Sequence, residues 1–291
     1  MRVASFRHEG TTGWGIVVDD RLLTGSGPAY PKTVLELLEQ HAEPAALLVQ
    51  LQTDATARSI PLAELELLSP IPRPRKNIIC LGLNYAEHAR ESLQTKGLTV
   101  EMPEHPVVFT KNVSAVTGPY ADVPLQSSIT QQFDWEAELA VVIGRGGRNI
   151  PEAEALSHVF GYTIVNDLTA RDLQRRHKQF FLGKSLDGSC PIGPWIVTAD
   201  EIADPQNLAV RCRVNGVIKQ DGNTDQQLFS VARTIALLSA IMTLEPGDII
   251  STGTPEGVGF ARQPPEFLAV GDVVECEISS IGYIRNRIVA E

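Results

Sequence analysis

Apolar and polar residues alternate with a period of two along much of this chain, the pattern of strands with one face in a core. RVASF, WGIVVDD and RLLTG, near the start, read as short strands joined by turns around Gly10 and Asp19. A helix is predicted from Thr33 through TVLELLEQH, with Leu35, Leu37 and Leu38 as its apolar stripe. Pro70, Pro72 and Pro74 then fall within SPIPRPRK, from Ser69 to Lys76, and favour an extended connector. A boundary is expected there, between a small N-terminal α/β domain over 1–70 and a main domain over 76–291.

Beyond the connector, NIICLGLNY predicts an apolar strand ending in a turn, and YAEHARESLQTKG a helix closed by Gly97. Strands are then predicted at HPVVFTK, EAELAVVIG, VFGYTIVND, GPWIVT, LAVRCRVNG, GDIISTG, DVVECEIS and GYIRNRIV. Helices interrupt them chiefly at LTARDLQRRH and LFSVARTIALLSAIMTL. The expectation is a β-rich α+β fold with peripheral helices rather than a doubly wound sheet.

The 291 residues suffice to bury a substantial core. Lys+Arg 25 against Asp+Glu 35 gives a net charge of −10, which argues against nucleic acid or an anionic membrane as partner and for a small-molecule ligand. If that ligand is an anion, a bound metal or a placed lysine must overcome the repulsion. Cys80, Cys190, Cys212 and Cys276 lack zinc-site spacing and read as reduced core residues; Cys190 has no histidine motif that would make it a nucleophile. With no apolar run of signal-peptide or membrane-spanning length, a cytoplasmic location is expected.

One strand breaks its own pattern. In FDWEAELAVVIG, Phe133, Trp135, Ala137, Leu139, Val141 and Ile143 share one face, while Glu136 and Glu138 project together from the other. Paired carboxylates beside an apolar run repel one another, more strongly if buried, and a divalent cation would resolve the conflict; a solvent-facing strand edge would also accommodate them. Asp167, where GYTIVND gives way to a helix, is either that helix's cap or a third oxygen ligand, a set suiting magnesium or manganese better than zinc. His88 and Glu91, three apart on a predicted helix, form a surface pair or a carboxylate-oriented general base. Lys184 in FFLGKSLDG does not belong to a phosphate-binding loop, because Lys178 stands where the upstream glycine should be. It could instead aim a charge at a carboxylate or enolate. STGTPEGVG is either an anion cradle or a plain tight turn.

Taken together and in order, GLNYAEHARE, PVVFTKNVSAVTGP, DWEAELAVVIG, VNDLTARDLQ, FLGKSLDGSCPIGPW and GDIISTGTPEGVG resemble the fumarylacetoacetate hydrolase family. That resemblance implies a mixed, strongly bent β-sheet roll, usually dimeric, and a divalent metal (Mg2+ or Mn2+, with Ca2+ possible in a crystal) on Glu136, Glu138 and Asp167. It assigns His88 and Glu91 to a catalytic pair on a mobile lid in the acylpyruvase branch. Gln174 and Lys184 become substrate contacts, and the turn of Thr252, Gly253 and Thr254, closed by Pro255, holds the substrate carboxylate.

The expected substrate is a small 2-oxo acid. Hydrolysis of a carbon–carbon bond in an acylpyruvate or related 2,4-dioxo acid is the first expectation, with His88 activating water and Lys184 stabilising the enolate. Decarboxylation or isomerisation of a 2-oxo diacid such as oxaloacetate on the same site is the alternative, and a non-catalytic metal- or ligand-binding protein the third.

Overall fold

The computed structural model describes every residue except Ala42, Lys96, Leu98, Val100 and Glu101. Lys96, inside the predicted helix after Tyr85, therefore lies outside the described residues. The architecture is β-rich α+β, dominated by a 12-stranded mixed sheet and a five-stranded sheet. At the middle of the large sheet runs Ala137–Ile143, antiparallel to Val159–Asn166 on one side and to Ile249–Ser251 on the other. Ile249–Ser251 in turn pairs in parallel with Ile78–Gly82.

The alternation read from the sequence sorts residues between two cores. Leu139, Val141 and Ile143 face a cluster completed by Val210, Cys212, Val274, Cys276 and Ile284 of the five-stranded sheet. The helix Val231–Ile241 closes that cluster with Ile235 and Leu238. Ala140 and Val142 face the opposite cluster, which Ile78, Cys80, Ile192 and Ile196 share with Val34, Leu37, Leu38, Leu47, Leu48 and Leu51.

Those last six belong to the N-terminal segment. Its helix Val34–Gln40 starts where the pattern placed it, with the Thr33 hydroxyl accepting from the Glu36 amide at 3.0 Å. A second helix, Pro44–Thr53, was not predicted. The strand Arg2–His8 pairs with Cys190–Thr198, so the N-terminal strands extend the large sheet and share its core.

Candidate metal and acid–base centre

Sheet register assembles the acidic cluster. Ala137 lies opposite Asn166, and the Asp167 amide donates to the Glu136 carbonyl at 2.8 Å, which sets Asp167 beside the two glutamates. All three acids are buried, and one oxygen from each lies within 4.8 Å of the others. Asp167 does not cap the helix Arg171–Arg176: its N-cap is Ala170, without a side-chain cap. Asp167 instead accepts from Lys111 Nζ and from Lys184 Nζ, each at 2.7 Å.

Compensation within the cluster is uneven. Burial opposes ionisation of Glu136, but Lys184 at 2.6 Å and Arg171 at 2.7 Å overcome it and hold this carboxyl well below the usual range. For Glu138, burial, Asp167 and Glu136 all act the other way and push its carboxyl well above the usual range. Its only hydrogen bonds among the described residues are from the Ser251 hydroxyl at 2.6 Å and the Gly253 amide at 2.9 Å. Burial alone would discharge Lys184, but Asp167 and Glu136 more than offset it and keep the ammonium charged. Three buried hard-oxygen donors, one of them without a cationic partner among the described residues, form a group that could hold a metal ion.

Opposite the acids, the helix Ala86–Thr95 presents His88, whose Nδ1 lies 2.9 Å from Glu91 Oε1. Both Glu91 oxygens also accept from the Gly257 amide at 3.1 Å. His88, Glu136, Glu138, Gln174, Lys184 and Thr254 line a single cleft. Its apolar walls are Leu81, Leu83, Phe109, Phe180 and Phe260, and Arg171 also reaches it. Lys184 sits 5.0 Å from the centre of the Phe109 ring.

The turn after Ile249–Ser251 behaves differently from an anion cradle. The Thr252 hydroxyl donates to the Leu139 carbonyl and accepts from Gln227, and the Gly253 amide is spent on Glu138. Gly253 has φ +93, and a Cβ there would meet Asn84 Cβ at 2.9 Å. Of the three predicted contacts in this turn, only Thr254 lines the cleft. Cys190 is buried, and burial pushes its thiol up to about 12, which leaves no thiolate nucleophile near neutral pH.

Sequence reasoning missed Lys111, Asp134 and Arg171, all fully or almost fully buried among these acids. A signal existed for Arg171: a cation in the first turn of a helix opposes the helix dipole and calls for another reason to be there.

Fold and cleft together define an enzyme whose centre gathers a candidate carboxylate metal site and a carboxylate-backed histidine. The chain belongs to the fumarylacetoacetate hydrolase family: residues 77–289 match the profile described as fumarylacetoacetate (FAA) hydrolase C-terminal. It is 52% identical over 227 residues to an oxaloacetate tautomerase of Bacillus subtilis, covering 78% of this chain and 74% of that protein. It is 44% identical over 277 residues to a mitochondrial oxaloacetate tautomerase of Bos taurus, covering 94% and 84%.

Among solved structures it resembles a fumarylacetoacetate hydrolase from Exiguobacterium antarcticum, with TM-score 0.87, 39% identity and 100% of both chains covered. A 2-hydroxyhepta-2,4-diene-1,7-dioate isomerase from Mycobacterium marinum matches with TM-score 0.77 and 31% identity, covering 100% and 99%. A maleylpyruvate hydrolase from Sphingobium sp. SYK-6, solved with manganese(II) and pyruvate, matches with TM-score 0.78 and 30% identity, covering 100% and 99%.

Proposed function

We propose that this enzyme interconverts the keto and enol forms of a small 2-oxo diacid, with oxaloacetate the leading candidate. The observation that carries the reading is His88, backed by Glu91 and opening onto the same cleft as Glu136 and Glu138 of the carboxylate triad. Keto–enol exchange requires one proton to leave the carbon next to the 2-oxo group and another to reach the oxygen. With Nδ1 engaged by Glu91, the Nε2 of His88 is the ring nitrogen left to take and return that proton. A divalent cation of the Mg2+ or Mn2+ type, held by Glu136, Glu138 and Asp167, would polarise the 2-oxo group. Lys184 keeps Glu136 and Asp167 in place and adds positive charge to the wall; Gln174, which lines the cleft, would receive the substrate carboxylate, whereas the Thr254 hydroxyl is engaged by the Ala137 carbonyl and Gln220.

Carbon–carbon hydrolysis, the first expectation from sequence, has weaker support. The relatives at 52% and 44% identity are both named oxaloacetate tautomerases, which favours the alternative reading. The homodimer implied by the family stands as a proposal that light scattering tests.

The deciding assay dissolves enol oxaloacetate and follows its ultraviolet absorbance with Mg2+ or Mn2+, while total four-carbon acid and pyruvate are measured in parallel. The reading requires fast keto–enol equilibration with the four-carbon acid conserved. Pyruvate formed at the same rate would instead indicate decarboxylation, and cleavage of acetylpyruvate without tautomerisation would restore the hydrolase.

A further inference from the structure

The two halves of the cleft come from separate elements: His88 and Glu91 from a helix, the acids from strand ends. A short backbone strap joins them. The Gly257 amide donates to Glu91, and two residues on the Gly259 and Phe260 amides donate to Asp134, at 2.7 Å to Oδ1 and 3.0 Å to Oδ2. Asp134 is fully buried, and its Oδ2 also receives Arg171 Nε at 2.8 Å. Arg171 reaches Glu136 Oε1 at 2.7 Å with another nitrogen, and Phe260 lies 4.4 Å over its guanidinium.

Glycine is required along this strap. Gly257 has φ +95, and a side chain there would run into the Lys219 carbonyl. At Gly259 a Cβ would lie 2.6 Å from Asp134 Oδ1, closing the space through which the amide reaches the carboxylate. The result is a hydrogen-bonded path from Glu91 through Gly257, Gly259 and Phe260 to Asp134 and Arg171, which ends in an ion pair with Glu136.

We propose that Asp134 is a positioning residue which, through the Gly257 to Phe260 strap on one side and Arg171 on the other, fixes the His88 and Glu91 pair relative to the carboxylate triad. Asp134 stands outside the cleft lining, whereas Arg171 reaches its wall. Charge-assisted bonds to a buried carboxylate are strong and directional, and a displacement of about 1 Å at a proton-transfer site costs on the order of 10²-fold in rate. The proposal rests on the proton-transfer reading only where turnover is measured.

The test is Asp134→Asn, which keeps the volume but turns a donor toward the strap. Amide hydrogen exchange should accelerate both in 256–261 and in Ala86–Thr95. Turnover should fall by about 10²-fold at nearly unchanged KM, while calorimetric Mn2+ affinity stays close to the wild-type value. Combined with Glu91→Gln, the loss in turnover should be clearly less than additive, since both act through one path. Exchange that rises only in the strap, additive losses, or Mn2+ affinity falling in step with turnover would each overturn the proposal. Should Asp134→Asn fail to fold, Glu91→Gln alone decides: its strap amides at Gly259 and Phe260 should exchange faster, and unchanged exchange refutes the coupling. The exchange and Mn2+ arms need no substrate. A wrong substrate reading shows up separately, as wild-type protein that does not turn over oxaloacetate.

Discussion

Glu138 is the residue on which the electrostatics of the centre turn, because it alone among the triad has no cationic side chain against it among the described residues. In metal-free protein its folded-state pKa lies well above the ordinary value of 4.5. A group shifted this way contributes stability that is complete below the unfolded pKa and is lost as pH rises through the folded pKa. Metal-free protein should therefore lose stability as pH rises above that ordinary value, whereas Glu138→Gln should lack this loss. Glu136, shifted the opposite way, acts only in the window below its ordinary value as pH falls, so the two effects separate. Saturating Mn2+ should restore the wild type at neutral pH and leave Glu138→Gln unmoved. Thermal melts across pH, with and without Mn2+, check all of this. His88 makes a different residue-scale prediction: His88→Ala should lower tautomerisation on the order of 10²–10⁴-fold while the Mn2+-induced rise in melting temperature persists. Loss of both together in stopped assays and melts would mean His88 supports the metal instead.

At the scale of elements, the N-terminal segment is where local pattern and tertiary structure diverge. Its strands were readable because their apolar residues alternate, yet Arg2 pairs with Val197, and no local pattern reveals a partner so distant in sequence. The helix Pro44–Thr53 was missed for a related reason: Glu43 at its start supplies no capping bond, and its buried Leu47, Leu48 and Leu51 acquire a partner only in the shared core. The centre divides in the same way. Glu136 and Glu138 stood out as acids on an otherwise apolar strand, and Asp134 shares their alternation face but was passed over; Lys111 looks like a surface residue until folding buries it. The shared core carries a prediction. A chain beginning at residue 76 exposes Ile78, Cys80, Ala140 and Val142 and should not fold stably, although the family match begins at 77. Leu48→Ala in the full chain should cost about 3 kcal/mol, measured by denaturant unfolding. A truncated chain that melts like the full one would show instead that the segment is an independent unit.

Over the whole molecule, a net charge of −10 ought to repel a dianionic substrate, yet the cleft opens beside a locally basic stretch. Gln174 lines the cleft, and the exposed Arg175, Arg176 and Lys178 follow it directly. Charges of opposite effect compete here through distance. At 0.1 M salt the screening length is about 10 Å, so an approaching anion feels the nearby guanidinium groups far more than acids spread over the remaining surface. Local attraction should win. For oxaloacetate, kcat/KM should then fall severalfold as ionic strength rises at fixed Mg2+, with kcat almost constant, because screening removes steering and leaves the bound-state chemistry untouched. Reversing the patch with Arg175→Glu and Arg176→Glu should lower kcat/KM at low salt and invert its slope, since screening would then relieve repulsion. A wild-type kcat/KM that climbs with salt would show that the acidic surface as a whole, rather than this patch, governs access to the cleft.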